Sequence, residues 1–119
     1  MIAKYDSLKK GAIVLVPFPF SDLSGYKARP ALVLVVNKKA SRVIVSFIGS
    51  RLEKMDRDFD VVIKENHKDF SLTGLKTASL VKTDKIASFS FEILHGIIGK
   101  LSQDILKQID KKLKNIFQV

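Results

Sequence analysis

Cysteine is absent from this chain of 119 residues. Disulfides, thiolate metal sites and cysteine nucleophiles are therefore excluded, and the absence fits a reducing compartment. The sequence also contains no glycine-rich phosphate loop, no dinucleotide-binding fingerprint and no residues at metal-ligand spacing. The two histidines, His67 and His95, lie in a polar stretch and just before a turn, where a structural or solvated side chain is the simpler interpretation. No motif for Ser/His/Asp catalysis is present, and the candidates that we consider next are acid–base and cationic groups that could work without a metal.

Long apolar runs are missing as well. The longest, residues 12–18 and 30–36, are far shorter than the roughly 20 residues that an apolar helix needs to cross a bilayer. The first eleven residues, MIAKYDSLKKG, are charged and contain no apolar region of the signal-peptide type. We therefore expect a cytoplasmic protein without a membrane partner.

Positive charge is abundant. Lysine and arginine number 21 against 12 aspartates and glutamates, which gives a formal net charge of +9. Such an excess suits a polyanionic partner, either nucleic acid or an acidic protein. It also suits a lysine-rich solvated surface, because many of the lysines fall in the last third of the chain, on a segment with helical periodicity. Charge alone leaves both interpretations open.

Short runs rich in β-branched residues predict strands up to about residue 101. Six are expected, over residues 12–18, 31–36, 41–49, 59–63, 78–86 and 96–101. Ser102 is the expected N-cap of a helix, in which Ile105, Ile109, Leu113 and Ile116 recur at helical spacing. The pattern predicts one domain over residues 1–119, mainly β with a C-terminal helix from about residue 102 (α+β), built as a small barrel or strongly bent sheet.

Arg29 is the first candidate for chemistry. It follows a polar loop and directly precedes Pro30, which favours an extended backbone at position 29. A guanidinium held there is a planar, permanently charged group that suits a phosphate or a developing phosphorane. The alternative is an ion pair with a structural carboxylate such as Asp22, and from this position alone it is the better explanation.

Lys82 and Asp84 form the second candidate pair. They are two residues apart in a predicted strand, so both side chains are expected on the same face. Aspartate is disfavoured within strands, and a neighbouring ammonium would hold Asp84 ionised and ready to accept a proton. The alternative is a surface ion pair at a strand end, which by itself explains both residues.

The order of these residues resembles the PemK/MazF family of toxin ribonucleases. The stretch GAIVLVPFPFSDLSGYKARPALVLVV resembles the family's N-terminal signature, in which a strand and a glycine-containing loop precede Arg-Pro and an apolar strand. The matching residues are Gly11, Val14, Gly25, Arg29, Pro30, Leu32 and Val33. The stretches VIVSFIGS, SLVKTDKIASF and IIGKLSQDILKQI resemble later strands and the closing helix, so the resemblance covers nearly the whole chain from about residue 10.

This resemblance implies a small SH3-like barrel with a terminal helix, usually a homodimer. It implies the toxin of a type II toxin–antitoxin system, a sequence-preferring endoribonuclease that cleaves single-stranded RNA or mRNA without a metal or other cofactor. The RNA's own 2′-hydroxyl would attack the adjacent phosphate, giving 2′,3′-cyclic phosphate and 5′-hydroxyl ends. A cognate antitoxin, often with an acidic segment, would cover the RNA groove.

The resemblance also assigns roles to residues. Arg29 matches the family's catalytic arginine and would stabilise the transition state. Lys82 and Asp84 match a basic–x–Asp pair that some members use in proton transfer, and the base would be Asp84 because arginine is hard to deprotonate. The loops around residues 20–27 and 50–58 would shape the RNA groove. The expected RNA-binding residues are Phe20, Ser21, Tyr26, Lys27 and Arg51, of which Phe20 and Tyr26 would stack on bases.

Two catalytic positions depart from the family pattern. Many members carry a threonine after the third strand, where this chain has Gly49 followed by Ser50. Either Ser50 supplies the catalytic hydroxyl through a shifted backbone, or that hydroxyl is lost. Lys82 stands where some members have arginine, so a bidentate contact is also lost. The alternative function is therefore a catalytically weak or inactive barrel that binds RNA or an acidic protein segment.

Overall fold

The computed structural model describes residues 5–18 and 27–119. The described chain forms six strands and one α-helix. These are β1 (Ala12–Phe18), β2 (Lys27–Asn37), β3 (Arg42–Gly49), β4 (Asp60–Ile63), β5 (Ser79–Ser90), β6 (Ile97–Lys100) and α1 (Gln103–Phe117). Single 3-10 turns at Leu52–Lys54, Phe70–Thr73 and Phe91–Ile93 lie in the connections. The predicted class, mainly β with a C-terminal helix, is confirmed.

Two strands are longer than the sequence predicts. β2 begins at Lys27 rather than at residue 31, because Lys27, Ala28 and Arg29 pair with the end of β1. β5 continues to Ser90, because its second half pairs with the first half of β3. Cross-strand hydrogen bonding holds these residues in strands that the apolar pattern does not mark. Arg29 therefore lies inside a paired strand, opposite Val16.

The six strands form one antiparallel sheet in the order β4-β5-β3-β2-β1-β6. The sheet curls into a half-barrel and is buried on both faces. One face packs on α1, with Ile13, Leu32 and Val81 against Ile105 and Ile109. The opposite face carries a second apolar cluster that includes Tyr5, Leu8, Val14, Val33, Val45 and Leu94. Burial on both faces explains why the central strands read as continuous apolar runs.

The helix α1 closes one face of the sheet. Its inner residues Ile105, Leu106 and Ile109 are buried, whereas Lys107 and Lys111 are exposed, as expected for an amphipathic helix. Ser102 has the extended backbone of an N-cap, but its Oγ accepts no N–H of the first helical turn. Its hydroxyl instead donates to the carboxylate of Asp104.

His67 ties a distant loop to the start of this helix. Its Nε2 lies 2.8 Å from Oδ2 of Asp104, and its Nδ1 accepts the N–H of Asp69 at 3.0 Å. The hydrogen bonds from Ser102 and then from His67 hold the pKa of Asp104 well below its ordinary value of 3.8. Both nitrogens of His67 are thus used in structural hydrogen bonds.

Close packing also requires a glycine in β6. A Cβ at Gly99 would lie 2.3 Å from the backbone carbonyl oxygen of Thr73, so only a glycine lets the turn at Phe70–Thr73 approach the strand.

No helix within the described residues is both long enough and apolar enough to span a bilayer.

Candidate active site

A wide bulge in β5 shapes the candidate site. Between the pairs Ile48–Val81 and Ser46–Ile86, β3 contributes one residue, Phe47, while β5 contributes four, residues 82–85. Three extra residues therefore leave the ladder on the β5 side. Bulges are common beside active sites, where they redirect side chains.

Hydrogen bonds from neighbouring strands hold the bulge in place. The buried hydroxyl of Ser46 donates to the backbone oxygen of Lys82 at 2.6 Å. On the other side, the N–H and the hydroxyl of Thr83 both donate to the backbone oxygen of Phe59, the N–H at 3.3 Å. The bulge is therefore anchored to both flanking chain segments rather than loosely looped out.

A cavity of about 530 Å³ opens beside the bulge. Phe47, Ile48 and Leu80 contribute apolar side chains to its lining. Five of its described lining residues are cations and none is a carboxylate, namely Arg29, Arg51, Lys54, Lys82 and Lys85. A concave surface with one sign of charge and an apolar floor concentrates anionic ligands. The arrangement suits a polyanion whose phosphates meet the cations.

Arg29 is exposed at the wall of this cavity, where β2 holds its backbone in the ladder. Within residues 5–18 and 27–119 its guanidinium forms no ion pair. The alternative partner, Asp22, lies outside the described residues. An exposed arginine at the cavity wall, without an ion-pair partner among the described residues, is available to an incoming phosphate.

Lys82 also lines the cavity, but its partner differs from the expected one. Its Nζ lies 2.7 Å from Oδ2 of Asp60, which directly opposes it in the β4–β5 register. The expected pairing of Lys82 with Asp84 is wrong, because the bulge interrupts the strand alternation that would place them on one face. Asp84 is exposed, forms no hydrogen bond or ion pair with described residues, and does not line this cavity.

Asp60 is the residue that sequence reasoning missed. Its carboxylate is fully buried, whereas 19% of the Lys82 side chain is exposed. In the sequence, Asp60 is only a polar residue at the start of a short apolar run. A carboxylate in one apolar run and a lysine in another indicate a buried ion pair, but assigning them to each other requires the strand register.

The end of β3 contributes Gly49 and Ser50 to the same cavity. A Cβ placed on Gly49 would have no heavy atom within 4 Å, so the absence of a side chain leaves open space rather than relieving a clash. Ser50 is exposed and follows the strand directly. The structure thus brings Arg29, Lys82 and Ser50 to one cavity.

The predicted RNA-binding residues divide into three groups. Arg51 lines the cavity and also pairs with Glu53, with its Nε 3.1 Å from Oε2. The pKa of Glu53 is lowered by its backbone hydrogen bond and then by Arg51. Lys27 begins β2, is exposed and lies outside the cavity lining. Phe20, Ser21 and Tyr26 lie outside the described residues.

Among residues 5–18 and 27–119, no three His, Asp or Glu side chains lie close enough together to hold a metal ion.

Comparison with known proteins agrees with this architecture. Residues 9–117 match the model of the family described as PemK-like, MazF-like toxin of type II toxin–antitoxin system. No curated protein sequence matches the chain significantly.

Solved structures share the fold at low sequence identity. The Mycobacterium tuberculosis toxin MazF-mt6 superposes with a TM-score of 0.67 at 21% identity, covering 91% of this chain and 97% of that one. A chain in the crystal structure of MazE-MazF from Deinococcus radiodurans gives a TM-score of 0.72 at 20% identity, covering 93% of this chain and 96% of that one. An endoribonuclease in complex with its cognate antitoxin, from a mycobacterial species, gives 0.63 at 17% identity, covering 92% and 94%. Because the family match spans nearly the whole sequence, the chain belongs to the PemK-like, MazF-like toxins of type II toxin–antitoxin systems.

Proposed function

We propose that this protein is an endoribonuclease that cleaves single-stranded RNA in the cationic cavity beside the β5 bulge. The observation that carries the proposal is the convergence of Arg29, Lys82 and Ser50 on one cavity without a lining carboxylate among the described residues. The chain's membership of a toxin family supports the same reaction, as does its fold similarity to two solved structures that are called endoribonucleases.

The proposed reaction needs no group beyond the RNA and these side chains. The 2′-oxygen of one nucleotide attacks the adjacent phosphorus, the bond from phosphorus to the 5′-oxygen breaks, and a 2′,3′-cyclic phosphate and a 5′-hydroxyl result. The carboxylate of Asp84 takes the proton of the 2′-hydroxyl, and the ammonium of Lys82 gives a proton to the departing 5′-oxygen. The phosphorane between these steps carries extra negative charge, which fixed cations stabilise.

Arg29 and Lys82 are the cations that we assign to the phosphorane. Arg29 offers a planar fork to two phosphate oxygens, and Lys82 offers a compact ammonium. Ser50 supplies a hydroxyl beside them, and Arg51 binds a neighbouring phosphate. Asp84 remains our proposed base, although it reaches the substrate only if the RNA extends beyond the described cavity lining onto the exposed edge of the bulge.

The test is cleavage of a mixed-sequence RNA by the purified protein in EDTA, with the ends of the products mapped. We expect 2′,3′-cyclic phosphate ends, and we expect Arg29→Ala to reduce the rate by about 10²–10³, the usual effect of removing one transition-state donor. The matched control is Arg42→Ala, since Arg42 is exposed at the far end of β3 and does not line the cavity. Cleavage that Arg29→Ala leaves unchanged would refute the assignment.

A cognate antitoxin is the proposed protein partner, and a homodimer in the cytoplasm is the proposed working form. The structures of MazE-MazF and of an endoribonuclease with its cognate antitoxin support a partner of this kind. An acidic segment suits the cationic cavity and would compete there with RNA. The test is to find a short acidic protein encoded beside this one and to mix the two purified proteins. Inhibition of RNA cleavage by the acidic protein would support the pairing.

A second function rests on Gly49. Because no side chain fills the space at this position, the cavity lacks the hydroxyl that a threonine would bring. In this second function the protein binds RNA without cutting it. Salt-sensitive RNA binding with no product after prolonged incubation would establish this second function and exclude the first.

A further inference from the structure

Asp60 and Lys82 form an unusual pair at the wall of the candidate site. Carboxylates are rarely fully buried, yet the side chain of Asp60 has no exposed surface. Its partner reaches the boundary of the cavity, where 19% of the lysine side chain is exposed. The pair therefore connects the protein interior to the surface on which we place the RNA.

Further hydrogen bonds fix the positions of both Asp60 and Lys82. Oδ2 of Asp60 accepts the N–H of Asp56 at 2.9 Å in addition to the ammonium of Lys82 at 2.7 Å. The backbone N–H of Asp60 donates to the carbonyl of Asp56 at 2.8 Å, so the same short loop fixes the residue twice. The carbonyl of Lys82 accepts the Ser46 hydroxyl. Lys82 is thus held both at its backbone carbonyl and at its ammonium.

Stability alone does not explain this arrangement. A buried ion pair is often no more stabilising than apolar residues of similar volume, because both charges lose their hydration. Oδ1 of Asp60 is also buried without a hydrogen-bond partner among the described residues, which adds a desolvation cost. Such a pair is better suited to fixing the position of a charge than to strengthening the fold.

We infer that Asp60 is a positioning residue that fixes the Lys82 ammonium at the cavity wall for contact with the RNA phosphate. Asp60 cannot touch the substrate itself, because its side chain is fully buried. A lysine has a flexible stem and three donors, of which Asp60 uses one and leaves two for a phosphate. This inference rests on the proposed function, and it explains how a lysine serves without the rigid fork of an arginine.

The first experiment compares Asp60→Asn with wild type in the RNA cleavage assay. Asparagine keeps the shape of the side chain but removes the charge that holds the ammonium. We expect kcat to fall by about 10²-fold, the scale of a misplaced catalytic group, with KM changed less than about threefold. Asp6→Asn makes the same chemical change at an exposed residue outside the cavity and should leave both constants unchanged.

A double-mutant cycle separates positioning from general damage. If Asp60 acts through Lys82, the double variant Asp60→Asn with Lys82→Met is no slower than Lys82→Met alone. Losses that multiply would overturn the inference, as would an Asp60→Asn variant with wild-type kcat. An increase in kcat would also overturn it, because Asp60 would then hold the ammonium away from the phosphate.

A measurement on the wild-type protein does not depend on the variants folding. Lys85 lines the same cavity and has no carboxylate partner among the described residues, so it is an internal reference. Nitrogen-15 relaxation of the lysine ammonium groups should show Lys82 more restricted than Lys85. Equal mobility would overturn the inference even if RNA is cleaved. A wild-type protein that cleaves no RNA would instead overturn the proposed function, and the catalytic role of the restricted lysine with it.

Discussion

Replacing Lys82 with methionine should destabilise the protein more than replacing its partner Asp60 with asparagine. The two charges form one ion pair, but the carboxylate is fully buried whereas part of the lysine is exposed. A carboxylate that loses its cation has no access to water. A lysine that loses its carboxylate can turn its ammonium into the open cavity and regain hydration.

The size of the difference follows from these environments. Lys82→Met leaves a buried, unpaired charge, which costs about 3–5 kcal/mol of the free energy of unfolding. Asp60→Asn keeps an amide oxygen that can accept the N–H of Asp56, so we expect a loss of about 1–2 kcal/mol. The double variant leaves no charge at this buried pair and should be more stable than Lys82→Met alone. A domain of this size has only about 5–15 kcal/mol in total, so the first loss is large.

Urea unfolding at neutral pH measures all three variants. The matched control is Lys85→Met, which removes a cation from the same cavity without leaving a carboxylate unpaired among the described residues. Its effect should stay within about 0.5 kcal/mol, as is usual for surface substitutions. A Lys82→Met variant as stable as Asp60→Asn would refute the reasoning, because it would show that the buried carboxylate does not need its cation.

Three further predictions concern other parts of the molecule. Gly49→Thr should fold normally, since the position has open space, and should raise the RNA cleavage rate above that of Gly49→Ala; equal rates would show that the hydroxyl has no role. Gly99→Ala should lower the free energy of unfolding by about 2–3 kcal/mol in urea, because its Cβ would meet the backbone of Thr73, and a loss no greater than that of Gly49→Ala would contradict the packing. Because the pKa of Asp104 is lowered in the folded protein, its carboxylate stabilises the fold at pH values above 3.8, its ordinary pKa, and this contribution is lost as the pH falls below 3.8. The urea midpoints of wild type and Asp104→Asn should therefore differ at pH 6 and converge in acid. A difference that stays constant with pH would contradict the hydrogen bonding.

The elements of the fold are local enough to be predicted from sequence. Continuous β-branched runs mark strands buried on both faces, and the spacing of Ile105, Ile109 and Leu113 marks the helix. The extensions of β2 and β5 escape prediction because residues such as Lys27 are held only by pairing across the sheet. A strand segment that is held only by pairing to its neighbour has no characteristic local composition.

Only part of the candidate site can be predicted from local sequence. Arg29, Lys82, Ser50 and Arg51 follow from the order of short motifs, and the structure brings them to one cavity. The partner of Lys82 does not follow, because the pairing of β4 with β5 depends on register. The bulge that separates Lys82 from Asp84 has no sequence signature either, since it arises from three extra residues opposite Phe47.

The loss of rate expected from a glycine at position 49 decides between a slow enzyme and an inactive binding protein. Removing one hydrogen-bond donor from a transition state usually costs about 10²–10³ in rate. Enzymes typically accelerate their reactions by 10⁶-fold or more, so the loss of one hydroxyl alone leaves measurable catalysis. An inactive protein would require the loss of a cation as well, yet Arg29 and Lys82 both line the cavity and Lys82 is held by a buried carboxylate. Gly49 therefore predicts a reduced rate rather than the absence of cleavage.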